Sequence, residues 1–94
     1  MQKYDNWINP FKFLNLLSGT LIPIVNDDED MLKIIWDDGM QIDIGYIKNE
    51  ATYYITTVAD DTTESWNKPL SVIKVKDCMA LPIVIQKEII RCRL

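Results

Sequence analysis

The strongest pattern along the chain is an alternation of apolar and polar positions on both sides of an Asp-Asp-Gly turn. Leu32, Ile34 and Trp36 alternate before it, and Met40, Ile42, Ile44 and Tyr46 alternate after it. That period of two marks a pair of half-buried strands. A two-residue Asp38-Gly39 loop would set Trp36 opposite Gln41 and Ile34 opposite Asp43. It would pair apolar with polar positions across one face, and a one-residue slip of this kind turns every side chain to the wrong side. A three-residue loop, Asp37-Asp38-Gly39, instead pairs Trp36 with Met40, Ile34 with Ile42 and Leu32 with Ile44. It also places Gly39 where such loops favour a left-handed residue. The pattern predicts a hairpin in this one register.

Upstream, Asn9-Pro10 reads as a helix start, because asparagine caps free N–H groups and proline suits the first helical position. Ile8, Phe11, Leu14 and Leu17 recur at helical spacing and Gly19 follows as a stop, which predicts a short helix over about 10–18. Residues 21–25, interrupted by Pro23, read as an edge strand or connector. A second turn near 48–51 leads into a strand over 52–59, rich in tyrosine, threonine and valine. Residues 60–69 read as a polar loop in which Trp66 is the odd apolar residue, and 70–75 as a further strand. From about residue 81 a helix runs to residue 91, with Pro82 in its first turn and Ile85, Ile89 and Cys92 on one face. A strand over 81–86 is the alternative. The expected fold over residues 1–94 is one small α+β domain. It has a short N-terminal helix, an antiparallel β-meander of three to five strands, and a C-terminal helix packed on one face.

Composition agrees with that size. The chain has 94 residues, too few for two independent cores, and its 48% apolar content argues against disorder. No apolar run approaches the roughly 20 residues of a spanning helix. The segment 13–25 is broken by Asn15, Ser18, Gly19, Thr20 and Pro23, and no small-x-small cleavage pattern follows it. The expectation is a cytoplasmic protein without a membrane role. Cys78 and Cys92, if on one helix, would lie roughly 21 Å apart along its axis. A disulfide needs Cα atoms within about 7 Å, so they read as idle thiols in a reducing compartment.

The usual parts of a catalytic or metal site are missing. There is no histidine, and two separated cysteines cannot complete a zinc site. Gly19, Gly39 and Gly45 are too scattered for a phosphate-cradling loop, and Ser18, Ser65 and Ser71 have no histidine to activate them. The run Asn26-Asp27-Asp28-Glu29-Asp30 fails the EF-hand pattern. Counted from Asp28, the sixth and twelfth positions hold Lys33 and Gly39; counted from Asn26, they hold Met31 and Asp37. The sequence therefore points away from an enzyme and implies no cofactor and no metal.

Charge is more informative. Residues 26–64 carry eleven acidic residues and two lysines, a net of −9, whereas residues 65–94 carry a net of +4. The acids cluster at 27–30, at Asp37 and Asp38, and at Asp60, Asp61 and Glu64. Alternate loops of a meander emerge at the same end of the sheet, so two of these clusters can form one acidic edge. Acidic loops often do no more than solvate a small protein. The functional alternative is a surface matched to a basic partner, which speeds association and excludes wrong partners. Trp66 is a candidate exposed anchor for such a surface, while Trp36 is expected in the core and Trp7 in packing.

The candidate site is thus Asp37, Asp38, Asp60, Asp61, Glu64 and Trp66, on a non-enzymatic protein-binding module. A small acidic inhibitor or immunity-type protein that neutralises a basic toxin or nuclease is the leading expectation. A self-associating structural domain, dimerising through a strand edge or the Trp7 segment, is the second. Nucleic-acid binding through Lys87, Arg91 and Arg93 comes third. Cations near a helix C-terminus already suit the helix dipole, and Tyr53 and Tyr54 point to opposite faces of their strand.

Overall fold

A computed structural model of the protein describes residues 9–24 and 30–94. Trp7, Ile8, Asp27, Asp28 and Glu29 lie outside those residues, so the expectations attached to them are not addressed below. Five strands form one antiparallel sheet in chain order: β1 (Thr20–Pro23), β2 (Asp30–Ile35), β3 (Gln41–Ile47), β4 (Thr52–Val58) and β5 (Ser71–Val75). Each strand pairs with its neighbour in the chain, so the sheet has no crossover.

The central hairpin has the register that its pattern predicts. Leu32 faces Ile44 and Ile34 faces Ile42. The Trp36 N–H donates to the Met40 carbonyl at 3.0 Å, and the Gly39 N–H to the Trp36 carbonyl at 3.0 Å. Gly39 has φ 96°, a conformation that L side chains resist. Pro23 sits on edge strand β1, where its missing N–H leaves no gap in a ladder. The β3–β4 turn is a single 3-10 turn, Lys48–Glu50, closed by Ala51 at φ 50°.

Two expectations need correction. The loop over 60–69 contains a one-turn helix, α1 (Thr63–Asn67), whose first turn is capped by the Thr62 hydroxyl accepting from the Ser65 N–H at 3.2 Å. Five mostly polar residues carry no apolar stripe, so periodicity had nothing to detect. The helix expected over 10–18 is reduced to a 3-10 turn, Asn9–Phe13, and Leu17 and Ser18 have φ of 49° and 74°. The cause is tertiary. The Trp36 Nε1–H donates to the carbonyls of Leu16 at 2.9 Å and Leu17 at 3.1 Å. In a continuing helix those carbonyls would bond to the N–H groups of residues 20 and 21, which belong to β1. Gly19 is no helix stop either. A Cβ there would meet the Trp36 indole at 2.8 Å, so glycine serves the close approach of backbone to ring.

The C-terminal segment is helical, not extended. A 3-10 turn, Cys78–Ala80, is capped by Asp77 and runs into α2 (Leu81–Arg93). Leu81, Ile85 and Ile89 on its inner side pack against Leu32, Ile34, Ile42, Ile44, Ile55 and Val75 of the sheet, with Phe11 and Trp36 completing the core. Gln86 fastens the N-terminal segment to α2. Its Oε1 accepts from the Asn15 N–H at 2.7 Å and its Nε2 donates to the Asn15 carbonyl at 3.0 Å. Cys78 is exposed and Cys92 half-buried, and neither is in a disulfide. Among the described residues no helix is long and apolar enough to cross a membrane.

Candidate protein-binding surface

In a five-stranded meander the β2–β3 and β4–β5 connections leave the same end of the sheet. They also touch: a Cβ built on Gly39 would lie 3.5 Å from the Asp60 Cβ. Asp37, Asp38, Asp60, Asp61, Glu64 and Trp66 are therefore all carried at one end, by two loops from separate hairpins. Asp30, the described member of the third acidic cluster, stands opposite Gly45 towards the other end of β2.

The carboxylates do different work. Asp60 organises its own loop. Its Oδ1 accepts from the Ser65 hydroxyl at 2.6 Å, the Thr62 hydroxyl at 2.6 Å and the Thr62 N–H at 3.2 Å. Those bonds, the Ser65 hydroxyl first, hold its carboxyl below the usual range. Asp38 is tied to the helix. Arg93 Nη1 donates to its Oδ2 at 2.8 Å, and the Met40 N–H donates to its Oδ1 at 3.1 Å. Arg93 is the larger cause of its lowered pKa. The same guanidinium lies over the Trp36 ring, 4.9 Å from its centroid. Asp61 accepts from Trp66 Nε1–H at 2.8 Å, which fixes the half-buried indole against its own loop.

Asp37 and Glu64 remain as exposed carboxylates whose side chains have no partner among the described residues. The end of the sheet is thus an acidic rim of which three members also build the loops. Electrostatically, Arg93 offsets part of the charge at Asp38, whereas Asp60 is bonded only by neutral donors and keeps its charge, so the outward field comes from Asp37, Asp60, Asp61 and Glu64.

One charged residue of consequence escaped the sequence reading. Glu88 is 2% exposed, on the inner side of α2. Its Oε2 accepts from the hydroxyls of Thr57 and Ser71, each at 2.6 Å, and from Arg91 Nη2 at 2.7 Å; its Oε1 accepts from Arg91 Nε at 2.7 Å. Arg91 is the largest influence, the hydroxyls add to it and burial opposes it, and together they push the carboxyl down to about 2. The sequence carried a signal: Glu88 falls between Ile85, Ile89 and Cys92 on the predicted inner face, three residues before an arginine. Its bonds join α2 to β4 and β5, which makes it a clamp of the fold.

At the opposite end of the sheet an apolar cleft of about 240 Å³ opens between Phe11, Met31, Tyr53, Met79, Leu81 and Pro82. Its walls offer almost no polar atoms to orient a ligand. Among the described residues no group of three or more cysteine, aspartate or glutamate side chains converges as a metal site would require. The arrangement at the acidic rim offers exposed carboxylates, an indole and fixed loops, the elements of a recognition surface for cationic groups. No known protein family matches the chain, and neither a curated protein nor a solved structure matches it.

Proposed function

We propose that the protein is a non-enzymatic binding module that neutralises a basic protein partner, in the manner of a small cytoplasmic inhibitor or immunity protein. One observation carries the reading: two acidic loops from separate hairpins approach each other at one end of the sheet, and one of them holds its own Trp66 indole against Asp61. Internal hydrogen bonds fix both loops before any partner arrives, which lowers the ordering cost of association. A cationic toxin or nuclease groove is the complementary surface, and long-range attraction would raise its association rate.

The test uses the acids that hold no loop backbone, and asparagine at position 61 keeps an oxygen to accept from the Trp66 Nε1–H. Asp37→Asn, Asp61→Asn and Glu64→Gln together leave the Asp38–Arg93 and Asp60–Thr62 contacts in place. Asp38 and Asp60 are unsuitable for this purpose, because both hold the backbone of their own loops. The triple variant should keep the wild-type melting curve, since exposed loop carboxylates contribute little to stability. In a pull-down from the native cell lysate, a partner captured by wild type should be depleted by the triple variant, most clearly at low salt. Equal recovery by both proteins at low and high salt would exclude the acidic rim as the binding surface.

A further inference from the structure

We infer that the outward face of α2 is a second interaction surface, suited to an acidic amphipathic segment of another protein. This helix is apolar on two sides. Its inner side is taken up by the core, yet on the opposite side Ile83, Ile90 and Leu94 are 61%, 47% and 86% exposed. A helix laid on a sheet ordinarily turns polar and charged residues to that side. Positions 83, 87, 90 and 94 are separated by four, three and four residues. At 3.6 residues per turn they form one stripe roughly 16 Å long.

Charge selects the occupant. The stripe and its shoulder also carry Lys87 and Arg91, both exposed. The only acid of the helix, Glu88, is buried on the inner side. Arg91 binds Glu88 through Nε and Nη2, which leaves its Nη1 for a partner. The face is therefore apolar and cationic, with no carboxylate of its own. Symmetric pairing with a second copy would bring the two Lys87 side chains onto a shared stripe that offers them no side-chain carboxylate, which disfavours a dimer through this face. An acidic helix supplies the missing carboxylates and sets its own apolar stripe against Ile83, Ile90 and Leu94.

The probe is a synthetic peptide of about 18 residues, with leucines spaced four, three and four apart and glutamates on its other faces. A counterpart with lysine in place of glutamate serves as control. Titrated into the ¹⁵N-labelled full chain, the acidic peptide should shift the amide signals of Ile83, Lys87, Ile90 and Leu94. Its binding should weaken with added salt and exceed that of the lysine peptide by at least about tenfold. Ile83→Glu with Ile90→Glu should abolish binding while the melting curve stays unchanged, because both side chains are exposed. If that pair unfolds the chain, Lys87→Glu alone should lower affinity for the acidic peptide and raise it for the lysine one. No binding, equal binding of both peptides, or shifts confined to other elements would each overturn the inference. So would phosphatidylglycerol vesicles that engage the stripe when the acidic peptide does not. Concentration-dependent shifts of the same residues in the protein alone would do so as well, by assigning the face to a second copy.

Discussion

Glu88 shows how one residue can carry a fold. A carboxylate that is 2% exposed would be costly to bury alone, and here two hydroxyls and a guanidinium surround it. Its pKa falls from the ordinary 4.5 to about 2 in the folded chain. The direction of the pH effect follows. Above about pH 4.5 the group is ionised in both folded and unfolded chains, and its contribution is fully present. Between about 4.5 and 2 the unfolded chain takes up a proton that the folded chain refuses, so stability falls with falling pH. That contribution is about 3 kcal/mol. Urea denaturation at stepped pH should therefore show wild type losing stability across this window. A Glu88→Gln variant should start about 2 kcal/mol less stable at neutral pH and change less on acidification. Parallel pH profiles for the two proteins would contradict the clamp.

At the scale of elements, two glycines act through different physics. Gly39 supplies a positive φ to the three-residue loop, and Gly19 supplies the absence of a side chain beneath Trp36. Gly39→Ala should cost about 1 kcal/mol through backbone strain, leaving the tryptophan emission unchanged. Gly19→Ala should cost more, about 1–3 kcal/mol, because the added methyl must displace a packed indole. It should also shift tryptophan fluorescence, as the ring moves off the Leu16 and Leu17 carbonyls. Urea melts followed by fluorescence and circular dichroism check both; equal effects on emission would deny the distinction. The hairpin was legible because its own alternation admits one register only. The first segment was not, since Phe11, Leu14 and Leu17 suit a helix locally while the demands of Trp36 and β1 come from residues far along the chain.

For the molecule as a whole, charge is segregated. The acidic rim occupies one end of the sheet, while lysines and arginines lie along β5 and α2. Edge strand β5 exposes Val72, with Leu70 exposed just before it, a feature that could template pairing with another sheet. Lys74 and Lys76, both exposed, oppose that pairing between identical chains. Size-exclusion chromatography with light scattering should accordingly report mainly monomer at low and moderate salt. A dimer that persists on dilution would move the weight from partner neutralisation to self-association through the β5 edge.

By itself, the sequence determined the α+β class and the hairpin register, and it narrowed the proline-bearing segment to an edge strand or connector and residues 81–86 to helix or strand. Each rests on local periodicity or turn chemistry, which neighbouring residues specify among themselves. It also located the acids that the meander would gather at one end, because alternate loops of such a sheet must share an end. Only the tertiary structure decided what those acids do. Asp38 and Asp60 look like Asp37 and Asp61 in the sequence, yet one is held by an arginine 55 residues away and the other by its own loop's hydroxyls. Glu88, which entered the sequence reading only through the net charge of residues 65–94, is a buried clamp because Thr57 and Ser71 arrive from two strands that the sequence separates from it. Hydrogen bonds between distant residues have no period, so a linear pattern cannot announce them; they exist once the core has set the distances.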